Sequence, residues 1–93
     1  MSWHGSRKFA YSLMEVAQYA PGRSGVYVVY SNARWVYIGA SADVGASLRG
    51  HINGGDPCIR QGRPTHFAFE LVPAKRRAAR QQELIREFDP ACN

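Results

Sequence analysis

The chain has 93 residues, with 12 lysines and arginines against 7 aspartates and glutamates, a formal charge of +5 and a pI near 9.7. This length supports one core and excludes two, so residues 1–93 are expected to form a single domain. The basic balance points to a polyanionic partner, nucleic acid before membrane, because no apolar run is long enough to span a bilayer.

Residues 1–8 are polar and expected to fray. Over residues 9–20, Phe9, Leu13, Val16, Ala17 and Ala20 recur at spacings of three and four, which predicts a helix with one apolar stripe. Pro21 and Gly22 end it, and the helix is expected to lie as a lid on the apolar face of the sheet that follows. Next come two runs rich in β-branched and aromatic residues, Gly25-Val26-Tyr27-Val28-Val29-Tyr30 and Trp35-Val36-Tyr37-Ile38-Gly39. Each is bounded by glycine, and together they read as a hairpin.

Side chains alternate along a strand, so the loop length decides which of them share a face. An even loop opposes Tyr30 to Trp35 and puts Tyr27 and Tyr37 on opposite faces. A three-residue loop, Asn32-Ala33-Arg34, groups Tyr27, Val29, Trp35 and Tyr37 on one face and Val26, Val28, Tyr30, Val36 and Ile38 on the other. The odd register separates apolar from amphipathic side chains better and is the expected one.

Asp43 is a candidate N-cap for a helix running to about Asn53, with Val44, Leu48 and Ile52 buried. Ser47 and His51, four apart, flank that row side by side, whereas Arg49 points away. Gly45 inside this helix implies a loose first turn or the close approach of another backbone. Residues 54–64 form a basic Gly/Pro-rich excursion with at most one helical turn after Asp56-Pro57. Residues 65–72 alternate as a third strand, Phe67, Phe69 and Leu71 opposing His66, Ala68 and Glu70. Residues 74–88 form a long helix with Ala78, Leu84, Ile85 and Phe88 inward and Lys75, Arg76, Arg77, Arg80 and Arg86 largely outward, stopped by Asp89-Pro90. The fold class is α/β: a small, mainly antiparallel sheet of three strands flanked by about three helices. Cys58 and Cys92 lack metal-ligand spacing and no signal peptide opens the chain, which makes a reducing, cytoplasmic setting the default.

Gly25-Val26-Tyr27 and Tyr37-Ile38-Gly39, in this order and joined by one hairpin, resemble the two name-giving motifs of the GIY-YIG nuclease family. The resemblance covers most of the chain from residue 21 onward. It implies that Tyr27 and Tyr37 converge on a scissile phosphate beside one divalent metal, Mg²⁺ or Mn²⁺ in an active member, and that the partner is nucleic acid, DNA first. It also implies that His51 and Asn93, the latter in Pro90-Ala91-Cys92-Asn93, belong to the same pocket. The family's catalytic arginine falls at Ser47 and its metal-binding glutamate at Gln81, and the basic residue often following the second motif is Ala40. Phosphodiester hydrolysis requires a metal to polarise the phosphoryl oxygens and a cation to neutralise charge in the transition state. Gln81 brings no charge, and Ser47 lacks the fork an arginine offers phosphate.

The resulting expectation is a nuclease-like domain with a degenerate pocket and no resident cofactor. Arg60, Arg63, Lys75, Arg76, Arg77 and Arg80 are its candidate phosphate-contacting rim. Two alternatives stay open: an active endonuclease in which Glu70 or Glu87 supplies the carboxylate, and a protein-binding domain anchored by Trp35 and Tyr37.

Overall fold

The computed structural model describes residues 8–32 and 34–93. Except for Lys8, the stretch expected to fray lies outside the described residues. Phe9–Ala10 (β1) is a short strand, not the start of a helix, and α1 begins only at Leu13, spanning Leu13–Tyr19. The cause is local: the Ser12 hydroxyl accepts a hydrogen bond from the Glu15 N–H at 3.2 Å, an N-cap that fixes where the helix starts. Phe9 is thereby released to pair with Phe67. Val16 and Ala20 are buried, but Leu13 and Ala17 of the expected stripe are exposed.

The hairpin is formed by β2 (Gly25–Ser31) and β3 (Arg34–Ser41). It is followed by α2 (Val44–Ile52), α3 (Pro57–Gly62), β4 (His66–Leu71), a 3-10 turn (Ala74–Arg76) and α4 (Arg77–Phe88). Among the described residues the sheet has four strands in the order β1-β4-β2-β3, all paired antiparallel, one more than expected because β1 joins its edge.

The hairpin register combines the two alternatives. At the tip Ser31 pairs with Arg34 and Tyr30 with Trp35, as an even loop dictates; beyond the tip Val29 pairs with Tyr37 and Tyr27 with Gly39, as the odd register dictates. Val36 is the extra residue between them, a β-bulge. Tyr27 and Tyr37 therefore share a face as expected, but Trp35 and Val36 exchange places. Trp35 packs on Phe88 of α4 with ring centroids 4.3 Å apart, while Val36 lies in the opposite core.

Each face has its own core. Val26, Val28, Ile38, Ala68 and Val72 are covered by Leu84 of α4, with Ile85 and Phe88 beside them. On the other face Tyr27, Val29, Val36 and Phe67 meet Val16 of α1, Val44 and Leu48 of α2, and Ile59 of α3. The first helix thus covers the tyrosine face and not, as expected, the more apolar one, which α4 covers. Ala78, expected inward, is exposed, and Arg80, expected outward, is buried at 8% exposure. The Arg80 fork meets both oxygens of Glu70 at 2.9 Å, and Nη1 donates to Glu83 at 2.9 Å. A buried guanidinium needs this pairing to offset its lost hydration.

Cys58 and Cys92, 34 apart in sequence, are joined by a disulfide with Cα atoms 5.9 Å apart. Closing a loop of that length constrains the unfolded chain by up to about 4 kcal/mol. Among the described residues no helix is long and apolar enough to cross a membrane.

Candidate functional site

The tyrosine face gathers most of the expected pocket. Gly39 lies opposite Tyr27 on the neighbouring strand, and a Cβ there would fall 2.4 Å from the Tyr27 hydroxyl oxygen. Only glycine leaves room for the phenol to lie across β3. The Tyr27 hydroxyl then reaches His51 Nε2 at 2.7 Å. The rings of Tyr27, Tyr37 and His51 form a triangle with centroid separations of 6.2, 5.7 and 5.4 Å.

Helix α2 delivers His51 and Ser47 because its start is fixed by two contacts. The Asp43 carboxylate accepts from the Ala46 N–H at 2.8 Å, and Gly45 N–H donates to the Pro21 carbonyl at 3.0 Å. The close backbone approach expected at Gly45 is the end of α1: a Cβ there would lie 2.9 Å from the Ala20 carbonyl oxygen. Ser47 turns toward the sheet, donating to the Ser41 hydroxyl at 2.7 Å. Arg49 lies on another side of the helix, its guanidinium beside Gly45.

Burial sets the protonation of this cluster. Desolvation raises the Tyr27 pKa, reinforced by Tyr37 and only partly offset by the nearby Ser47 hydroxyl. Desolvation lowers that of His51, against a smaller opposing pull from Asp56. Both groups are therefore neutral at pH 7. Tyr11, which the sequence reading passed over, packs against the same core, and its pKa is pushed up to about 12 by burial. Its hydroxyl is buried with no hydrogen-bond partner among the described residues. The Ser12/Glu15 capping pair was the overlooked signal for Tyr11, since it places that residue before the helix.

Gln81 and Asn93 meet at the outer edge of β3. Gln81 Nε2 donates to the Ile38 carbonyl at 3.0 Å, and Asn93 Nδ2 donates to the same oxygen at 2.9 Å. Asn93 Oδ1 also accepts from the Ile38 N–H at 2.8 Å, so its amide is a clasp on the main chain between Tyr37 and Gly39. The basic candidates divide. Arg60 and Arg63 precede β4 and Lys75, Arg76 and Arg77 follow it, so the strand separates the two sets by roughly 20 Å. Arg60 Nη1 donates to the Gly54 and Gly55 carbonyls, and Arg77 donates to the Ser24 hydroxyl at 3.1 Å. Arg80 leaves the rim altogether, since Glu70 and Glu83 hold its guanidinium. The same pairing commits Glu70 to Arg80. Trp35 and Tyr37, the joint anchor of the protein-binding alternative, face opposite sides of the sheet.

No protein-family model matches the sequence, and no curated protein sequence matches it. Solved structures do. The N-terminal GIY-YIG endonuclease domain of UvrC from Thermotoga maritima, bound to its catalytic magnesium, is similar with a TM-score of 0.73 at 21% identity, over 87% of this chain and 94% of that one. A tyrosine-to-phenylalanine mutant of that domain, bound to the catalytic divalent cation, matches with a TM-score of 0.73 at 20% identity over 87% and 93%. An asparagine-to-alanine mutant matches with 0.71 at 21% over 85% and 91%. The chain has the GIY-YIG fold.

Among the described residues no three His, Cys, Asp or Glu side chains come together. The cluster offers neutral hydroxyls and an imidazole, and residue 81 presents an amide whose N–H is directed at a carbonyl. Mg²⁺ is held through one or two carboxylates.

Proposed function

We propose, from the GIY-YIG fold as premise, that this chain is a nucleic-acid-binding domain whose nuclease pocket is degenerate, with duplex DNA the first target to test. The observation that carries this reading is the neutral amide at residue 81, hydrogen-bonded to Ile38 where the resemblance calls for a metal-binding carboxylate. Ser47, in the place of the arginine, adds a hydroxyl to a neutral cluster and no charge for a phosphoryl group. The tyrosines, His51 and Asn93 keep the pocket's shape, and exposed Lys75, Arg76, Arg60 and Arg63 supply the attraction to phosphate. Such contacts bind without reading sequence.

Fluorescence anisotropy of a labelled duplex across a salt series tests the binding. Log K is expected to fall with log[salt] with a slope of roughly −0.9 per phosphate contacted, and Lys75→Ala with Arg76→Ala is expected to reduce the slope. A flat response removes the nucleic-acid assignment. A plasmid-nicking assay with Mg²⁺ tests the rest: no nicking is expected, and nicking that vanishes in Tyr37→Phe would overturn the degenerate pocket. Gln81→Glu forfeits its bond to Ile38, at about 1–2 kcal/mol. Only in combination with Ser47→Arg is it expected to introduce metal-dependent nicking.

A further inference from the structure

The three residues 91–93 run along the outer edge of β3. Ala91 N–H donates to the Trp35 carbonyl at 3.0 Å and Cys92 N–H to the Val36 carbonyl at 2.8 Å, and Asn93 then clasps both main-chain groups of Ile38. They occupy the unpaired side of the sheet's last strand, next to Gly39 and the Tyr27 ring that crosses it. Their covalent tie to the rest of the fold, besides the chain itself, is the disulfide from Cys92 to Cys58 in α3. Cys58 is exposed and Cys92 half-buried, so a thiol arriving from solvent meets the Cys58 sulfur first.

We infer that the Cys58–Cys92 disulfide is a redox latch: oxidised, it holds residues 91–93 on the edge of β3 and keeps Ile38 clasped beside the tyrosine cluster; reduced, it lets the segment leave that edge. A few hydrogen bonds of a short surface segment compete with water and with the entropy of ordering three residues, so without a tether they are close to balanced. The fully buried side chains of both cores come from the sheet and helices, with Cys92 packed only at the margin of one, so the fold is expected to persist, with lower stability, when the bond is lost. Opening requires a dithiol. One thiolate attacks Cys58 Sγ, the Sγ–Sγ bond breaks, and Cys92 leaves as a thiolate that takes up a proton. The second thiol then resolves the mixed disulfide, releasing Cys58 as a thiol and an oxidised cyclic disulfide as the other product. Two electrons and two protons pass to the protein. In a reducing compartment the open form dominates, and in an oxidising one the latched form.

The test is backbone ¹⁵N relaxation on the full chain, before and after dithiothreitol. Order parameters of residues 91–93 are expected to fall from about 0.85 to below about 0.6, while those of Val26, Val28 and Val29 stay near 0.85. The Cys58→Ser, Cys92→Ser double variant is expected to reproduce the reduced state without reductant. Residues 91–93 that remain rigid after reduction, or in the double variant, overturn the latch. So does order lost throughout the chain, which would make the bond a staple of the whole fold.

Discussion

The two faces of the sheet are built from the same strands and do opposite things. Under α4, Val26, Val28, Ile38, Ala68 and Leu84 make an apolar core, with one guanidinium at its margin matched by carboxylates. Under α1 and α2, the alternate positions of the same strands bring hydroxyls and an imidazole together over a glycine. The first face asks for apolar volume, which many side chains supply. The second asks for particular atoms at particular distances. Change on the first face should therefore appear as lost stability, and change on the second as lost geometry.

The largest effect is expected where that division is purest. Leu84→Ala opens a cavity under α4 and is expected to cost about 2–5 kcal/mol in urea unfolding, while the His51 ring resonances of the folded fraction stay in place. Moved His51 resonances would show that the faces are coupled. Gly39→Ala should do the reverse. It forces Tyr27, buried at 3% exposure, away from His51, at about 1–3 kcal/mol, and NMR titration is expected to show the His51 pKa returning toward its ordinary value of 6.5. An unshifted His51 would mean that the Tyr27 ring does not control its burial.

The smallest effect is pH dependence. Burial lowers the His51 pKa in the folded state, so the unfolded chain binds more protons in the window below 6.5. Stability from this group is complete above 6.5 and is lost as pH falls through the folded value. Urea unfolding at pH 7.5 and pH 5 is expected to show the decline, smaller in His51→Gln; an identical decline in the variant would assign it elsewhere.

Much of the tyrosine face was legible because strand alternation and helix spacing are local. The Asp43 cap and the neighbouring Ser47 and His51 follow from counting, and the shared face of Tyr27 and Tyr37 was reached too, although a bulge and not the expected three-residue loop produces it. What escaped depends on contacts distant in sequence. Phe9 belongs to a strand because β4 is there to pair with it. Arg80 points inward because Glu70, ten residues earlier, waits on the sheet. The Cys58–Cys92 bond depends on α3 and the last residues meeting beside Val36. Trp35 was misassigned for a different reason, since a bulge leaves no mark in a run of β-branched and aromatic residues.

That bulge gives the hairpin two independent phases. From Tyr30 to Arg34 the strands keep the count set by the turn, and from Val29 inward they keep the count the tyrosines require, with Val36 absorbing the difference. The turn is thus insulated from the cluster: an insertion between Ser31 and Arg34 can alter the tip while Tyr27 stays opposite Gly39. Removing Val36 merges the two phases into one: Val29 stays opposite Tyr37 and Tyr27 opposite Gly39, so the tyrosines keep their shared face, and what is lost is the side chain that the bulge delivers to the core beneath them.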